Sequence, residues 1–477
     1  MERSATRFRP VIRISILACL VLSTTFEGIS STPATVTISP GDNIEAAVEG
    51  APEGTTFTLL AGTYRLQSVK PKNHDVFKGV GKVILNGSQV LSFELDPSGS
   101  GFWIGKATAS TLTHGSCESS HPLCKYSQDL FIGNQLQAPV ADRESLKPGS
   151  WYFDRSNNEI YIPDNPGERV AELSSLRSAF YGDAQDVRIE SLTVEKYASP
   201  AQTAAIGNDR SGTNWRVDHV ESRWNHGVGI GLGSGSELTN SFIHHNGELG
   251  IAMSGKNCKV VNNELAWNNY AGFAVTWEAG GSKFVLTTNL LVQSNYVHDN
   301  NGPGLWTDIN NVGTIYEGNT VVNNQNVGIE HEISYDAIIR NNIVKDNGNT
   351  STNWLWNAQI DIQNSSNVEV YGNTVEVPAG GGNGIVIINQ DRGTGTLGPW
   401  VAANNYVHDN TIKNLGDQGK SGMADSSKGH LAVGNRFDHN HYILHDNAIV
   451  RHWVWIDMVH WRDLQAVGQE AHGTCCN

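Results

Sequence analysis

From residue 225 the chain repeats one short pattern: an asparagine, a glycine four residues on, then an apolar residue. Asn225 leads to Gly229-Ile230, Asn246 to Gly250-Ile251, Asn268 to Gly272-Phe273, Asn300 to Gly304-Leu305, and Asn324 to Gly328-Ile329. The asparagines recur every 21 to 24 residues apart from one longer step, and an apolar residue stands three before most of them (Ile243, Leu265, Val297, Val321). A fixed period of this size is the mark of a solenoid, in which each repeat buries its apolar face only against its neighbours. The residue usage excludes an α-solenoid, since Asn, Gly, Val and Thr dominate and no 3.6-residue period appears. Short strands and turns with an asparagine at one turn in each repeat predict an all-β, right-handed parallel β-helix. Asparagine suits such a turn because it tolerates left-handed backbone and its amide can bond the amide of the next rung.

The boundaries follow from where the period starts and stops. Residues 1–26 carry four arginines, a short apolar run and a small-residue exit, the pattern of a secretory signal that is too short to span a bilayer. Residues 27–91 are expected to hold an N-terminal cap, with a helix over Asp42–Glu49, and the first rungs. Residues 92–182 lose the repeat and form a β-rich insertion, residues 183–415 are the regular rungs, and 416–477 close the other end. Acids outnumber bases 48 to 33, for a net charge of −15, which argues against nucleic acid and anionic membranes as partners. The expected protein is extracellular and monomeric, with a polysaccharide as its partner.

Five cysteines lie beyond the signal segment: Cys117, Cys124, Cys258, Cys475 and Cys476. His114, Cys117, His121 and Cys124 have a spacing that zinc could use, but in an exported chain Cys117 and Cys124 are expected to pair as a disulfide. Cys258 sits in a rung and is expected to be buried.

Stacked strands put equivalent side chains in columns, so chemistry can be sought column by column. After each repeat glycine, the second and fourth residues face outward. At mid-length the second column holds Trp306 and Glu330, followed by Gln359, and the fourth holds Asp308, Glu332 and Asp361. Rungs lie about 4.8 Å apart and alternate strand residues about 6.6 Å, so these acids crowd one another and at least one pKa must rise. Two lengthened turns flank the cluster and carry Trp277, Trp354 and Trp356; long loops on a rigid scaffold tend to carry function. His331 is expected to be a buried structural histidine. His298 and His408 recur in identical Asn-Tyr-Val-His-Asp-Asn segments and are expected to be structural too.

On these rungs the chain resembles the right-handed parallel β-helix superfamily of pectate lyases and polygalacturonases. The resemblance implies the fold and an activity on polysaccharide, but the polygalacturonase acids, the Asp-Pro-His of alginate epimerases and a column-borne lyase base are missing. The leading expectation is a glycoside hydrolase without a cofactor. Asp308 and Glu332 would be acid and base or nucleophile, assisted by Glu330 and Asp361, with Trp306, Trp277, Trp354 and Trp356 as sugar platforms. One alternative is a Ca²⁺-dependent lyase, with Asp308, Glu332 and Asp361 as ligands and loop-borne Lys283 or Arg392 as base. The other is a non-catalytic carbohydrate-binding or surface protein.

Overall fold

The computed structural model describes residues 34–207, 212–348, 354–429, 432–445 and 452–476, without the Met458 side chain. The signal expected at 1–26 lies outside the described residues. Thirty-five strands join one sheet, paired in parallel at nearly every step. It winds through three stacks, and each strand pairs with its equivalent one turn later, as Glu221–Arg223 pairs with Phe242–His244 and then Glu264–Ala266. The third stack runs through Val228–Leu232, Leu249–Lys256, Gly280–Thr288, Leu305–Asp308, Ile329–Glu332, Ala358–Gln363 and Asn383–Asn389. The fold is a right-handed parallel β-helix. Parallel pairing does not stop at 415 but runs on through Ser421–Asp425, Trp453–Trp455 and Thr474–Cys475.

Alternate residues of each strand point into the coil. In the third stack Ile230, Ile251, Leu305, Ile329, Ile360 and Ile385 are fully buried in one continuous core. The repeat asparagines form a buried ladder beside it. Each Nδ2 donates to the next Oδ1: Asn225 to Asn246 at 3.0 Å, Asn246 to Asn268 at 3.0 Å, Asn268 to Asn300 at 2.9 Å, Asn300 to Asn324 at 2.9 Å and Asn324 to Asn347 at 2.8 Å. A second ladder runs from Asn263 to Asn440 and ends on the carboxylate of Glu470, which accepts from Asn440 Nδ2 at 2.7 Å. The left-handed residue at the first ladder's turn is not the asparagine but the one before it, such as His245 (φ 50°) or Trp267 (φ 54°). The turn therefore exposes an ordinary side chain while the amide stays inside. Asn300 also receives the Asn268 backbone N–H and donates to Leu265 O. Asn300→Ala should strand those partners and lower stability by about 2 kcal/mol, measured by denaturant unfolding.

The capping helix spans Ile44–Gly50 and is capped by Asn43, whose Oδ1 accepts from Ala46 N at 3.0 Å, so it starts two residues later than the sequence suggests. Ile44 and Val48 cover the first rung. Between Ser88 and Ser174 the chain leaves the coil for two small sheets, of five and four strands, with their own core around Trp151, Ile160 and Leu173. Cys117 and Cys124 are joined by a disulfide, Cys475 pairs with Cys476, and Cys258 is a buried free thiol. No helix among the described residues is long and apolar enough to cross a membrane.

Candidate active site

The lengthened turns shift the columns from where the sequence puts them. Gly272-Phe273 is not the start of a rung. Phe273 is buried under the insertion with Cys124 and Ala279, and the strand begins at Gly280, which puts Ser282 in register with Ile251 and Lys283 with Ala252. Lys283 therefore stands in the outward column, not in a loop, and the expectation that no cation stands there is wrong. At the second long turn Asn357 is not the glycine equivalent that placing Gln359 in the second column requires. Ile360 pairs with Ile329, so Gln359 fills the glycine position, and its Oε1 takes the missing asparagine's place by accepting from Asn347 Nδ2 at 2.9 Å. That two-residue shift puts Asp361 beside Glu330 and Gln363 beside Glu332.

The second column thus runs Lys283, Trp306, Glu330, Asp361, and the fourth runs Asp308, Glu332, Gln363. Asp308, Glu330 and Glu332 are 7%, 8% and 7% exposed, and Asp361 is wholly buried. Two cations serve the group. Lys283 Nζ lies 3.0 Å from Asp308 Oδ2 and 3.2 Å from Glu278 Oε2, and donates to Trp277 O at 2.7 Å. It also rests 3.7 Å over the ring of Trp306, a cation–π contact. Arg392 Nη2 lies 2.7 Å from Glu332 Oε1, and the other oxygen of Glu332 accepts from Trp306 Nε1 at 3.1 Å. With its amide turned to suit its neighbours, Gln363 accepts from Arg392 and donates to Glu330 Oε1 at 3.3 Å.

Environment separates these carboxyls. Burial, with the charges of Glu332, Asp361 and Asp308, pushes Glu330 far above the usual carboxylate range despite Lys283. Burial and Glu332 do the same to Asp361, whose two oxygens have no hydrogen-bond partner. Burial raises Asp308 to about 6, against the pull of Lys283. Glu332, by contrast, has a guanidinium on one oxygen and an indole N–H on the other. Proton-holding and ion-paired carboxyls therefore stand on one strand face.

The sequence candidates divide accordingly. Asp308, Glu330, Glu332 and Asp361 do come together. Trp306 is 4% exposed, so it is not a sugar platform; it carries Lys283 on its face and orients Glu332 with its edge. Trp277 is half-buried against Phe273 and His114. Trp354 is exposed and meets Trp356 edge to face, while Trp356 packs against an apolar cluster that includes Val386, the residue following Asp361 in its column. Asp308, Glu332 and Asp361 do not form one compact set: among the described His, Cys, Asp and Glu side chains, Asp438, His439 and His472 are the group that brings three ligand atoms within 4.8 Å of one another. His331 is buried with Nδ1 2.7 Å from Thr307 Oγ1, and burial drops its pKa to about 3. His298 and His408 sit alike, each between an Asp and a Glu. Glu278 and Gln363 are the parts that sequence reasoning missed, while Lys283 and Arg392 were named there only as loop-borne lyase bases. A signal for Lys283 was present, because Gly281 lies 23 residues before Gly304, a regular rung length.

A family model for the right-handed β-helix region matches residues 204–375. Among solved structures, the complex of XylC with xylose superposes with a TM-score of 0.68 at 16% identity, covering 84% of this chain and 80% of that one. A protein described as a glycoside hydrolase gives 0.49 at 9% identity over 92% and 99%. The Azotobacter vinelandii mannuronan C-5 epimerase AlgE6 A-module gives 0.47 at 14% over 84% and 89%. At such identities the likeness carries the fold alone. No curated protein matches the sequence.

Proposed function

We propose that the protein is a secreted glycoside hydrolase acting on a polysaccharide, with Glu330 as general acid and Glu332 as its carboxylate partner. The observation that carries this is their contrast on one strand: Glu330 kept protonated by burial and like charges, Glu332 paired to Arg392 and Trp306. Glu330 would give its proton to the glycosidic oxygen as the bond to the anomeric carbon breaks. Glu332 would take a proton from the water that attacks that carbon. Alternate residues on a strand face stand about 6.6 Å apart, at the lower edge of the inverting range of about 6.5–9.5 Å. Inversion is therefore the expected outcome. Asp308, Asp361 and Lys283 set the field, and Trp354 is the exposed aromatic at the flank.

The lyase alternative is weaker on this geometry. The ammonium of Lys283 has three acceptors, Asp308, Glu278 and Trp277 O, which use its three N–H groups and leave no lone pair for a base. The low exposure of the column favours the second reading, a glycan-binding protein in which the same residues form a static charge network. Incubation with neutral and acidic polysaccharides separates the three. Hydrolysis should release reducing ends without an unsaturated product absorbing in the near ultraviolet, and a chelator should leave the rate unchanged. An unsaturated, chelator-sensitive product would establish the lyase, and binding without any product the static network.

A further inference from the structure

The last rungs of the coil reverse a histidine–aspartate pair. Residues 405–410 read Asn-Tyr-Val-His-Asp-Asn, whereas residues 435–440 read Asn-Arg-Phe-Asp-His-Asn. The strands pair in register, with Tyr406 beside Arg436, Val407 beside Phe437 and His408 beside Asp438. In the earlier rung both imidazole nitrogens are engaged: His408 Nδ1 lies 2.6 Å from Asp409 Oδ2, and Nε2 lies 3.1 Å from Glu369 Oε1. In the later rung the aspartate is the buried member, 1% exposed, and His439 stands exposed at the left-handed turn position (φ 61°). Neither ring nitrogen of His439 has a carboxylate of its own. A second exposed histidine, His472, comes in from the segment that closes the coil.

Asp438 is held in place for both. Its Oδ1 accepts from the backbone N–H of His439 at 3.0 Å and of His472 at 2.8 Å, which fixes the carboxylate and leaves Oδ2 toward the rings. There His472 Nδ1 stands 3.0 Å away and His439 Nδ1 3.4 Å, the second beyond a good hydrogen bond. In a tetrahedral zinc site with bonds of about 2.0–2.1 Å, ligand atoms stand about 3.3 Å apart. The two separations lie on either side of that value, and all three ligand atoms fall within 4.8 Å of one another. The imidazoles stack with centroids 4.7 Å and planes 16° apart, so they must turn for both lone pairs to meet one ion. Exposed rings can do so without disturbing the core. Arg436 is the competitor: its guanidinium holds Asp438 Oδ2, but the side chain is half exposed and can withdraw over the Tyr406 ring, 5.1 Å away.

We infer that Asp438, His439 and His472 form a zinc site that staples the closing segment to the end of the coil. Two imidazoles and one carboxylate suit Zn²⁺, whereas Ca²⁺ and Mg²⁺ take oxygen ligands. Asp438 and His439 belong to a rung, while His472 lies between the short helix Trp461–Ala466 and the strand Thr474–Cys475. The ion would therefore join coil to cap beside Glu470, where an asparagine ladder already ends. Water would fill the fourth position. The site stands on a different stack from the acid column and does not depend on the proposed hydrolysis.

The test is calorimetric titration of Zn²⁺ alone into the full chain, stripped of metal and carrying no histidine tag, followed by thermal denaturation. One equivalent should bind, excess Ca²⁺ should not displace it, and the melting temperature should rise with Zn²⁺. His472→Ala and His439→Ala should each weaken binding by at least about tenfold and abolish that rise. Arg436→Gln, which removes the competing guanidinium, should tighten binding. All three altered side chains are exposed, so these variants should fold, and buried Asp438 need not be touched. No binding, or displacement by Ca²⁺, would overturn the proposal. Zinc that binds both histidine variants as tightly as wild type would be an adventitious surface ion only, which overturns it too. Binding at these residues with an unchanged melting temperature would overturn the staple.

Discussion

Glu330→Gln should lower turnover on a polysaccharide by about 10³-fold, the middle of the range that a general acid contributes. The amide fits the same space and can donate a hydrogen bond, but it has no proton to give the leaving oxygen. Because burial already keeps Glu330 neutral, the exchange should leave the melting temperature unchanged, so lost activity cannot be blamed on lost fold. Two further readouts separate acid catalysis from a structural role. An aryl glycoside whose leaving group needs no proton should be cleaved by Glu330→Gln almost as fast as by wild type, whereas Glu332→Gln should be slow on both substrates. The wild-type rate should also fall at alkaline pH as Glu330 loses its proton, and that limb should vanish in the variant. A loss as large on the aryl glycoside as on the polysaccharide would remove Glu330 from the acid role.

The fold was legible because its determinants are periodic and local. Each asparagine that bonds the next rung is spaced by the length of a turn, and both the ladder and the inward isoleucines can be placed by counting. The site was legible only where counting held. Trp306, Asp308, Glu330 and Glu332 lie on two consecutive regular rungs, and their pairing is the one that the spacing predicts. Counting failed at each lengthened turn, where an accidental match captured the register. Gly272-Phe273 reproduces the glycine–apolar signature, yet packing under the disulfide loop decides its position. Gln359 has no place in a glycine pattern, yet its longer amide spans the gap that a missing asparagine leaves. Trp306 failed differently: tryptophan on an outward column suggests a sugar platform, but the side chains above and beside it bury its face and occupy its N–H.

Lys283→Met should be the most destabilising single change at this site, by about 3–5 kcal/mol near neutral pH, because removing one partner leaves buried charge uncompensated. Lys283 is 5% exposed and stands between Asp308, Glu278 and the Trp306 ring, so methionine keeps most of the volume and the loss is one of charge. The pH dependence carries its own sign. Asp308 has its folded pKa raised from 3.8 to about 6, so ionising it costs folding free energy as pH rises across that window. Without Lys283 that pKa should climb further and the cost should grow. The stability gap between wild type and variant should therefore be widest near pH 8 and narrow toward pH 4, where Asp308 is protonated in both proteins. Asp308→Asn added to Lys283→Met should recover part of the loss, since it removes the charge left without a partner. Denaturant unfolding of the four proteins at both pH values measures the coupling directly. A gap that does not change with pH, or a double variant no more stable than Lys283→Met alone, would show that Lys283 acts there by packing and not as the counter-charge that lets the acids share one face.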